Sequence, residues 1–204
     1  MSDPGRSSGD AAAAGLRLSC RPGRTGNTLV FPYTLENRGA VEIYAMDALP
    51  SLDPAGETAS ANDQAAVVIL GAESDVVLGK FAAPLPTDRR VAFALLPLAR
   101  RLAPQAIFEG RLEITLPLAE TSPYFPDLTL RQYEIVDIKA VQFTIGYWLG
   151  QADGLTALPA DYAPDRFTVV TRHTLRSARR VSQRFPTSGL QLFRRTDAFP
   201  RTLG

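Results

Sequence analysis

The sequence has very few of the side chains that most catalytic and metal sites use. Its 204 residues include one cysteine, Cys20, and one histidine, His173. A lone cysteine cannot form an intramolecular disulfide, and a cysteine-based zinc site would lack further thiolates. Nucleophilic catalysis needs a base that titrates near neutral pH, and only His173 offers one. We therefore expect no catalytic residue, no metal ion and no cofactor, and we predict that the protein is not an enzyme.

Long apolar runs are also missing. Ala65–Leu70, which no other run exceeds, is far shorter than the roughly 20 residues that cross a bilayer. Residues Met1–Ala14 have no apolar segment typical of a secretory signal, so we expect a cytoplasmic protein without a membrane span. The same residues are small, polar and free of aromatic rings. This composition predicts a disordered, flexible tail over residues 1–14.

What the sequence does contain is a repeated alternation of apolar and polar residues, which is typical of half-buried strands. The clearest example is Phe108–Leu118, and Leu29–Leu35 has the same period. Pro32 lies inside the second segment and predicts an edge strand or a bulge, because proline donates no hydrogen bond. Asn37-Arg38-Gly39 resembles a turn that leads into a partner strand from residue 41, which predicts a hairpin.

About ten short strands, separated by loops rich in proline, glycine and aspartate, predict an all-β fold and an antiparallel β-sandwich domain over residues 15–175. The segment Tyr133–Leu149 changes phase near Lys139–Ala140, which predicts a bulge there. The other predicted strands are Leu16–Arg21, Ala66–Leu70, Asp75–Phe81, Val91–Leu96, Phe167–Leu175 and Leu190–Phe193. Arg176–Arg184 is open to interpretation as a short helix.

Two stretches resemble the layout of immunoglobulin-like sandwiches. They are LVFPYTLENRGAVEIYAMDAL and RRLAPQAIFEGRLEITLPL. In such domains a hydrophobic strand that ends in Asn-x-Gly leads into a second strand, and a proline-containing turn precedes a strongly alternating strand. The resemblance covers about half of the chain and implies an immunoglobulin-like fold, which by itself does not determine a function.

Positive charge is concentrated at the C-terminal end. From residue 166 onward there are nine arginines and a single acid, Asp197, so this part carries about +8, whereas the whole chain carries +1 and residues 1–165 carry about −7. We predict a basic, arginine-rich C-terminal arm over residues 176–204. Such an arm either wraps its own acidic domain or meets an anionic partner.

Two groups of residues are candidates for partner binding. The first is Tyr124 and Phe125, on a loop whose flanking prolines restrict the backbone. The second is the mixture of arginine and aromatic residues in the arm, which are residue types enriched at protein interfaces. It comprises Arg180, Arg184, Phe193, Arg194, Arg195, Phe199 and Arg201.

These features favour a non-catalytic protein-interaction module, an accessory factor or subunit of a larger assembly. Its partner is expected to be another protein with an acidic or mixed surface, and homo-oligomers are possible. The alternative is a small-ligand or carbohydrate-binding sandwich, in which Trp148, Tyr147 and Tyr162 would form a stacking platform. Nucleic-acid binding through the basic segment is less favoured, because the pI is about 7.9 and the acidic remainder would repel phosphates.

Overall fold

The computed structural model describes residues 15–52, 59–85, 91, 94–124 and 133–196. These parts form an all-β, sandwich-like fold, as the alternation predicts. The strands in chain order are β1 Leu16–Cys20, β2 Gly23–Thr25, β3 Thr28–Asn37, β4 Ile43–Leu52, β5 Ala59–Asn62, β6 Val67–Leu70, β7 Asp75–Lys80, β8 Leu98–Leu102, β9 Ile107–Thr115, β10 Leu118–Ala119, β11 Tyr133–Leu149, β12 Thr156–Pro159, β13 Phe167–Val170 and β14 Arg179–Arg195. One short helix, α1, spans Thr174–Ser177.

The strands are arranged in a small sheet and a large sheet. In the small sheet β3 pairs with β1 and β2 along one edge and with β9 along the other. The large sheet has ten strands, and its main path runs β10-β14-β11-β4-β8-β13-β12. Two pairs in it, β11 with β7 and β10 with β14, are parallel. The small sheet is antiparallel and the large sheet is mixed, so the predicted antiparallel sandwich is confirmed in part.

The large sheet is buried on both faces. Phe143 and Ile145 face the small sheet, where the ring of Phe143 stacks on Phe31 with centroids 5.3 Å apart. On the opposite face of the same strand Trp148 packs in a second cluster with Met46. Burial on both faces explains why the strands of this sheet contain nearly continuous apolar runs, which is unusual for antiparallel sandwiches. Within the described ranges, no helix is long and apolar enough to cross a membrane.

The predicted hairpin between β3 and β4 does not form, because the two strands belong to different sheets. The side chain of Asn37 stabilises the passage of the chain from the small sheet to the large sheet. Its buried amide nitrogen donates hydrogen bonds to the carbonyl oxygens of Val41, Leu102 and Ala103 at 2.9, 3.1 and 3.0 Å. The amide therefore ties the end of β3 to the end of β8 in the other sheet.

Pro32 is not on an edge strand, and the expectation of an edge or bulge is wrong. It lies in the middle of β3, which has strands on both sides. Cys20, the last residue of β1, pairs with Tyr33, and the first residue of β2, Gly23, pairs with Val30. Pro32 faces the gap between these two partner strands, so its missing N–H removes no ladder hydrogen bond.

The predicted bulge in β11 is confirmed, since its pairing with β14 shifts between Ile138 and Ala140. The strand predicted at Val91–Leu96 is wrong: residues 94–97 are not strand, and β8 begins at Leu98. The strand predicted from Phe167 to Leu175 ends at Val170, where the chain turns toward α1. These differences all concern loops that connect strands of the large sheet.

The ring of Tyr33 covers Gly110, its cross-strand partner in β9. A Cβ atom added at Gly110 would overlap Cζ and Oη of that ring. We expect Gly110→Ala to lower the free energy of unfolding by about 1–3 kcal/mol, because the ring would have to leave its contact with Phe143. Urea unfolding curves of wild type and variant measure the difference.

Gly23→Ala is the matched control for this substitution. Gly23 also lies in the small sheet, and nothing lies within 4 Å of a Cβ added there. Its stability should be unchanged or raised by up to about 1 kcal/mol, because alanine restricts the unfolded chain. Equal unfolding midpoints for both alanine variants would contradict the packing argument.

Candidate binding site: an arginine cleft

Most of the segment predicted as an arm is a strand of the large sheet. Arg179–Arg195 forms β14, which pairs with β11 from end to end. The predicted strand at Leu190–Phe193 is therefore only part of a longer one. The helix considered over Arg176–Arg184 is not formed, because α1 ends at Ser177 and β14 begins two residues later.

Three arginines among the sequence-predicted binding residues already interact within the domain. Arg184 makes a bidentate ion pair with Asp75, at 2.6 and 2.9 Å. Arg194 contacts the carboxylate of Glu134 at 2.8 Å. Arg195 is buried, and its backbone N–H donates to Glu120 at 2.9 Å. These contacts hold β14 in place, and the three residues are spread along the strand.

The two aromatic binding candidates that the structure describes, Tyr124 and Phe193, are both half-buried in the domain. Tyr124 is half-buried against the second apolar cluster, and its hydroxyl accepts a hydrogen bond from the backbone N–H of Leu95 at 3.0 Å. Burial raises the pKa of this phenol. Phe193 is half-buried beside Tyr133, with ring centroids 6.3 Å apart. Phe125, Phe199 and Arg201 lie outside the described residues.

A different group of arginines converges on one cleft. Arg176 lies in the last turn of α1, and Arg179 and Arg180 begin β14, so the junction of the two elements presents all three side chains together. They line a cleft of about 450 Å³, here named the arginine cleft. The remaining lining residues come from the same junction and from the end of β11 with the turn after it. They are Leu149, Gln151, Ala152, Asp153, Ser177 and Ala178.

The positive charge in this cleft is not neutralised. Asp153 is its one acid, and that carboxylate faces Arg172 at 3.5 Å, with both side chains exposed. Over the described parts of the chain, no carboxylate pairs with Arg176, Arg179 or Arg180. A carboxylate, a phosphate or another anion could therefore dock here through charge-assisted hydrogen bonds.

Arg180 is held rigidly despite having no acidic partner. Its guanidinium carbon lies 4.7 Å from the centroid of the Phe81 ring, and a terminal nitrogen donates to the carbonyl oxygen of Ala82 at 3.2 Å. Desolvation lowers the pKa of this guanidinium, and no described carboxylate offsets the effect. An anion that enters the cleft would meet a positioned cation whose charge is poorly hydrated, which favours binding.

Trp148 anchors the wall of the cleft. Its side chain is 0% exposed, and its indole Nε1 donates to the carbonyl oxygen of Thr174 in α1 at 3.0 Å. Thr171 adds a hydroxyl hydrogen bond to Ser177 at 3.2 Å. Of the three residues predicted to form a stacking platform, Trp148 and Tyr147 are fully buried and cannot contribute, whereas Tyr162 is exposed.

A second group of charged residues lies at the bulge in β4. Asp47, 3% exposed, falls between Met46 and Ala48, where the pairing with β8 shifts by one residue. Its carboxylate contacts Arg166 at 2.7 Å, Arg100 at 3.1 Å and Lys80 at 3.7 Å. Because these cations already share a carboxylate, this group stabilises the fold and offers no open anion site.

Cys20 and His173 are the only cysteine and histidine of the chain, side-chain types that could serve nucleophilic catalysis. Cys20 is buried, and desolvation raises the pKa of its thiol to about 12, which keeps it protonated and unreactive. His173 is exposed and precedes α1. Within the described residues, no group of three or more histidine, cysteine, aspartate or glutamate side chains could hold a metal ion.

Comparison with known proteins adds no relative from which a function could be transferred. No protein-family model matches the chain, and no curated protein and no solved structure matches it. The argument for function therefore depends on the chain's own side chains.

Sequence reasoning identified Arg180 but missed Arg176 and Arg179. The signal was present in the run Arg-Ser-Ala-Arg-Arg at residues 176–180, which has no acid within ten residues on either side. The change from helix to strand inside this run, which brings the three side chains to one cleft, has no marker in the local pattern.

Neutral replacements of Asp47 and Lys80 should have different effects on the free energy of unfolding. Asp47→Asn should lower the free energy of unfolding by about 3–5 kcal/mol, because three cations lose their shared carboxylate. Lys80→Met should leave it unchanged or raise it by about 1 kcal/mol, because Asp47 keeps its two closer arginines. Chemical unfolding at neutral pH tests both.

The pH dependence gives the second readout for Lys80. Desolvation lowers the pKa of this lysine, so the unfolded chain binds the proton more tightly in the alkaline window just below about 10.4. The stability of wild type relative to Lys80→Met should therefore rise as the pH increases through that window. A pH-independent difference, or a stable Asp47→Asn variant, would contradict this account of the buried charges.

Proposed function

We propose that this protein is a non-catalytic interaction module that docks an acidic segment of a partner protein in the arginine cleft. The observation that carries the proposal is the convergence of Arg176, Arg179 and Arg180 on one cleft without a described acidic partner. Most other described cations near β14 are already paired, as Arg184 and Arg194 illustrate. An external anion would therefore gain the most favourable electrostatic interaction in this cleft.

Rigidity supports binding at this place. α1 is tied to Trp148, and Arg180 is stacked on Phe81, so few side-chain rotamers need to be ordered when a ligand arrives. Arginine is also the cation best suited to carboxylates, because its planar donors can bind both oxygens. An interface built on preordered arginines fits a subunit or accessory factor.

A protein partner is favoured over nucleic acid by the distribution of charge. Nucleic-acid binding needs cations spaced along a phosphate backbone. Beyond the cleft, Arg184 and Arg194 of β14 are bound to the domain's own acids, and residues 1–165 carry about −7. A single cleft that holds three arginines suits a short acidic segment better than an extended phosphate backbone. An immunoglobulin-like relationship and a cytoplasmic location stay predictions.

A small anionic ligand is the second candidate. The volume of about 450 Å³ falls within the range of roughly 300–1,000 Å³ that is typical of small-molecule sites. Such sites are mostly apolar, whereas this cleft is lined chiefly by polar and charged residues. This difference favours a solvated acidic segment over a small organic molecule.

The proposal is tested by affinity capture with the full chain from its own cells after nuclease treatment. We expect a protein to co-purify with wild type and to be lost with the double variant Arg176→Ser, Arg179→Ser. Arg180 is left intact in this variant because its contacts with Phe81 and Ala82 serve the fold. Thermal unfolding should show that the double variant stays folded.

Arg17→Ser, Arg24→Ser is the matched control, since it removes the same charge from the small sheet. It should keep the partner. Loss of the partner from both double variants would indicate a diffuse effect of net charge. Retention by the cleft variant, or capture of nothing by wild type, would contradict the proposal.

A further inference from the structure

A smaller apolar cleft lies directly beside the arginine cleft. Its volume is about 170 Å³, and it shares Ala178, Arg179 and Arg180 with the arginine cleft. The other lining residues are almost all apolar and come from β4, β11, α1 and the chain after β7. They are Met46, Ala82, Ala83, Pro84, Leu85, Gly146 and Leu175.

Exposed apolar side chains at this position need an explanation. Leu85 lines the cleft and is 41% exposed, whereas Ala83, which also lines it, is buried. Gly146 contributes no side chain, and the Met46 thioether packs directly against it to form the floor of the cleft. The result is an open cleft whose lining side chains are apolar except for two arginines, which form one wall.

The size of this cleft limits what can occupy it. An apolar cavity of roughly 150 Å³ takes up one benzene molecule, so 170 Å³ is enough for a single aliphatic side chain. A long acyl chain would extend far beyond it. The shared wall further requires that the apolar group be attached close to an anion.

We infer that the two clefts bind one short peptide segment in which an acidic residue is followed closely by an aliphatic side chain. The carboxylate pairs with the arginines of the cleft, and the aliphatic side chain inserts between Leu85 and Leu175. This inference rests on the proposed function and adds the recognition of one apolar residue. Charge would determine encounter, and the apolar cleft would determine which acidic segments stay bound.

The test uses fluorescence polarisation with two labelled peptides. One is a short glutamate-rich peptide that contains a single leucine, and the other has serine in place of the leucine. Wild type should bind the leucine peptide about tenfold more tightly, because a buried aliphatic side chain is removed from water. Affinity for both peptides should fall as salt increases, since exposed charges are screened.

Leu85→Ser is the informative variant, because it shortens an exposed side chain and leaves the charge unchanged. It should weaken binding of the leucine peptide about three- to tenfold and leave binding of the serine peptide unaltered. Leu158→Ser is the matched control: Leu158 is 56% exposed on β12, away from both clefts, and its replacement should change neither affinity.

The outcomes separate this inference from the function on which it rests. Equal affinities of wild type for the two peptides, or an unchanged ratio in Leu85→Ser, would overturn the inference and leave the arginine cleft intact. Loss of both peptides in Arg176→Ser, Arg179→Ser supports the arginine cleft. If wild type binds neither peptide at low salt, both proposals fail together.

Discussion

The pairing and burial of β11 is the constraint on which the rest of the structure depends. One edge of this strand is hydrogen-bonded to β14 along its whole length, and the other is shared by β7 and β4. Its alternate side chains enter two different apolar clusters, as Phe143 and Trp148 show. Because both faces are covered, the chain must return over the outer face, and α1 packs there on Trp148. The arginine cleft lies where the chain leaves α1 and enters β14.

Strands with one solvent-exposed face could be predicted well from the sequence, and strands without one could not. The alternation in β3 and β9 predicted both elements, because polar residues mark their outer faces, and the phase change in β11 predicted its bulge. Only four residues of β14, Leu190–Phe193, are predicted as a strand, because arginine, glutamine and serine obscure the alternation in the rest. Its pairing with β11 is nonlocal, and local propensity carries little information on such contacts. The prediction of a β3–β4 hairpin is wrong for the same reason, because the Asn37 amide donates a nonlocal hydrogen bond to β8, 65 residues away.

The concentration of positive charge near the C-terminus had two interpretations in the sequence, intrachain attraction and an anionic partner, and intrachain attraction explains only some of the arginines. Arg184 and Arg194 neutralise acids of the domain, and the intrachain attraction expected from opposite charges accounts for them. Arg176, Arg179 and Arg180 are not accounted for in this way. Composition could predict the excess of cations, but which of them stay unpaired depends on how the acids are distributed over β7 and β11. That distribution follows from the topology.

An unneutralised cation beside an aromatic ring is stable only because other contacts hold it. The stacking of Arg180 on Phe81 and its hydrogen bond to Ala82 stabilise the guanidinium, yet desolvation still lowers its pKa. Folding alone would be served as well by an apolar side chain at this position, as replacements of buried charges elsewhere demonstrate. A ligand carboxylate would supply the missing counter-charge without any rearrangement of the wall. The same wall closes the apolar cleft, so the geometry that leaves Arg180 without an anion also places an aliphatic pocket beside it. The ligand that we propose, an acidic segment that carries an apolar residue, matches both the charge and the shape of this site.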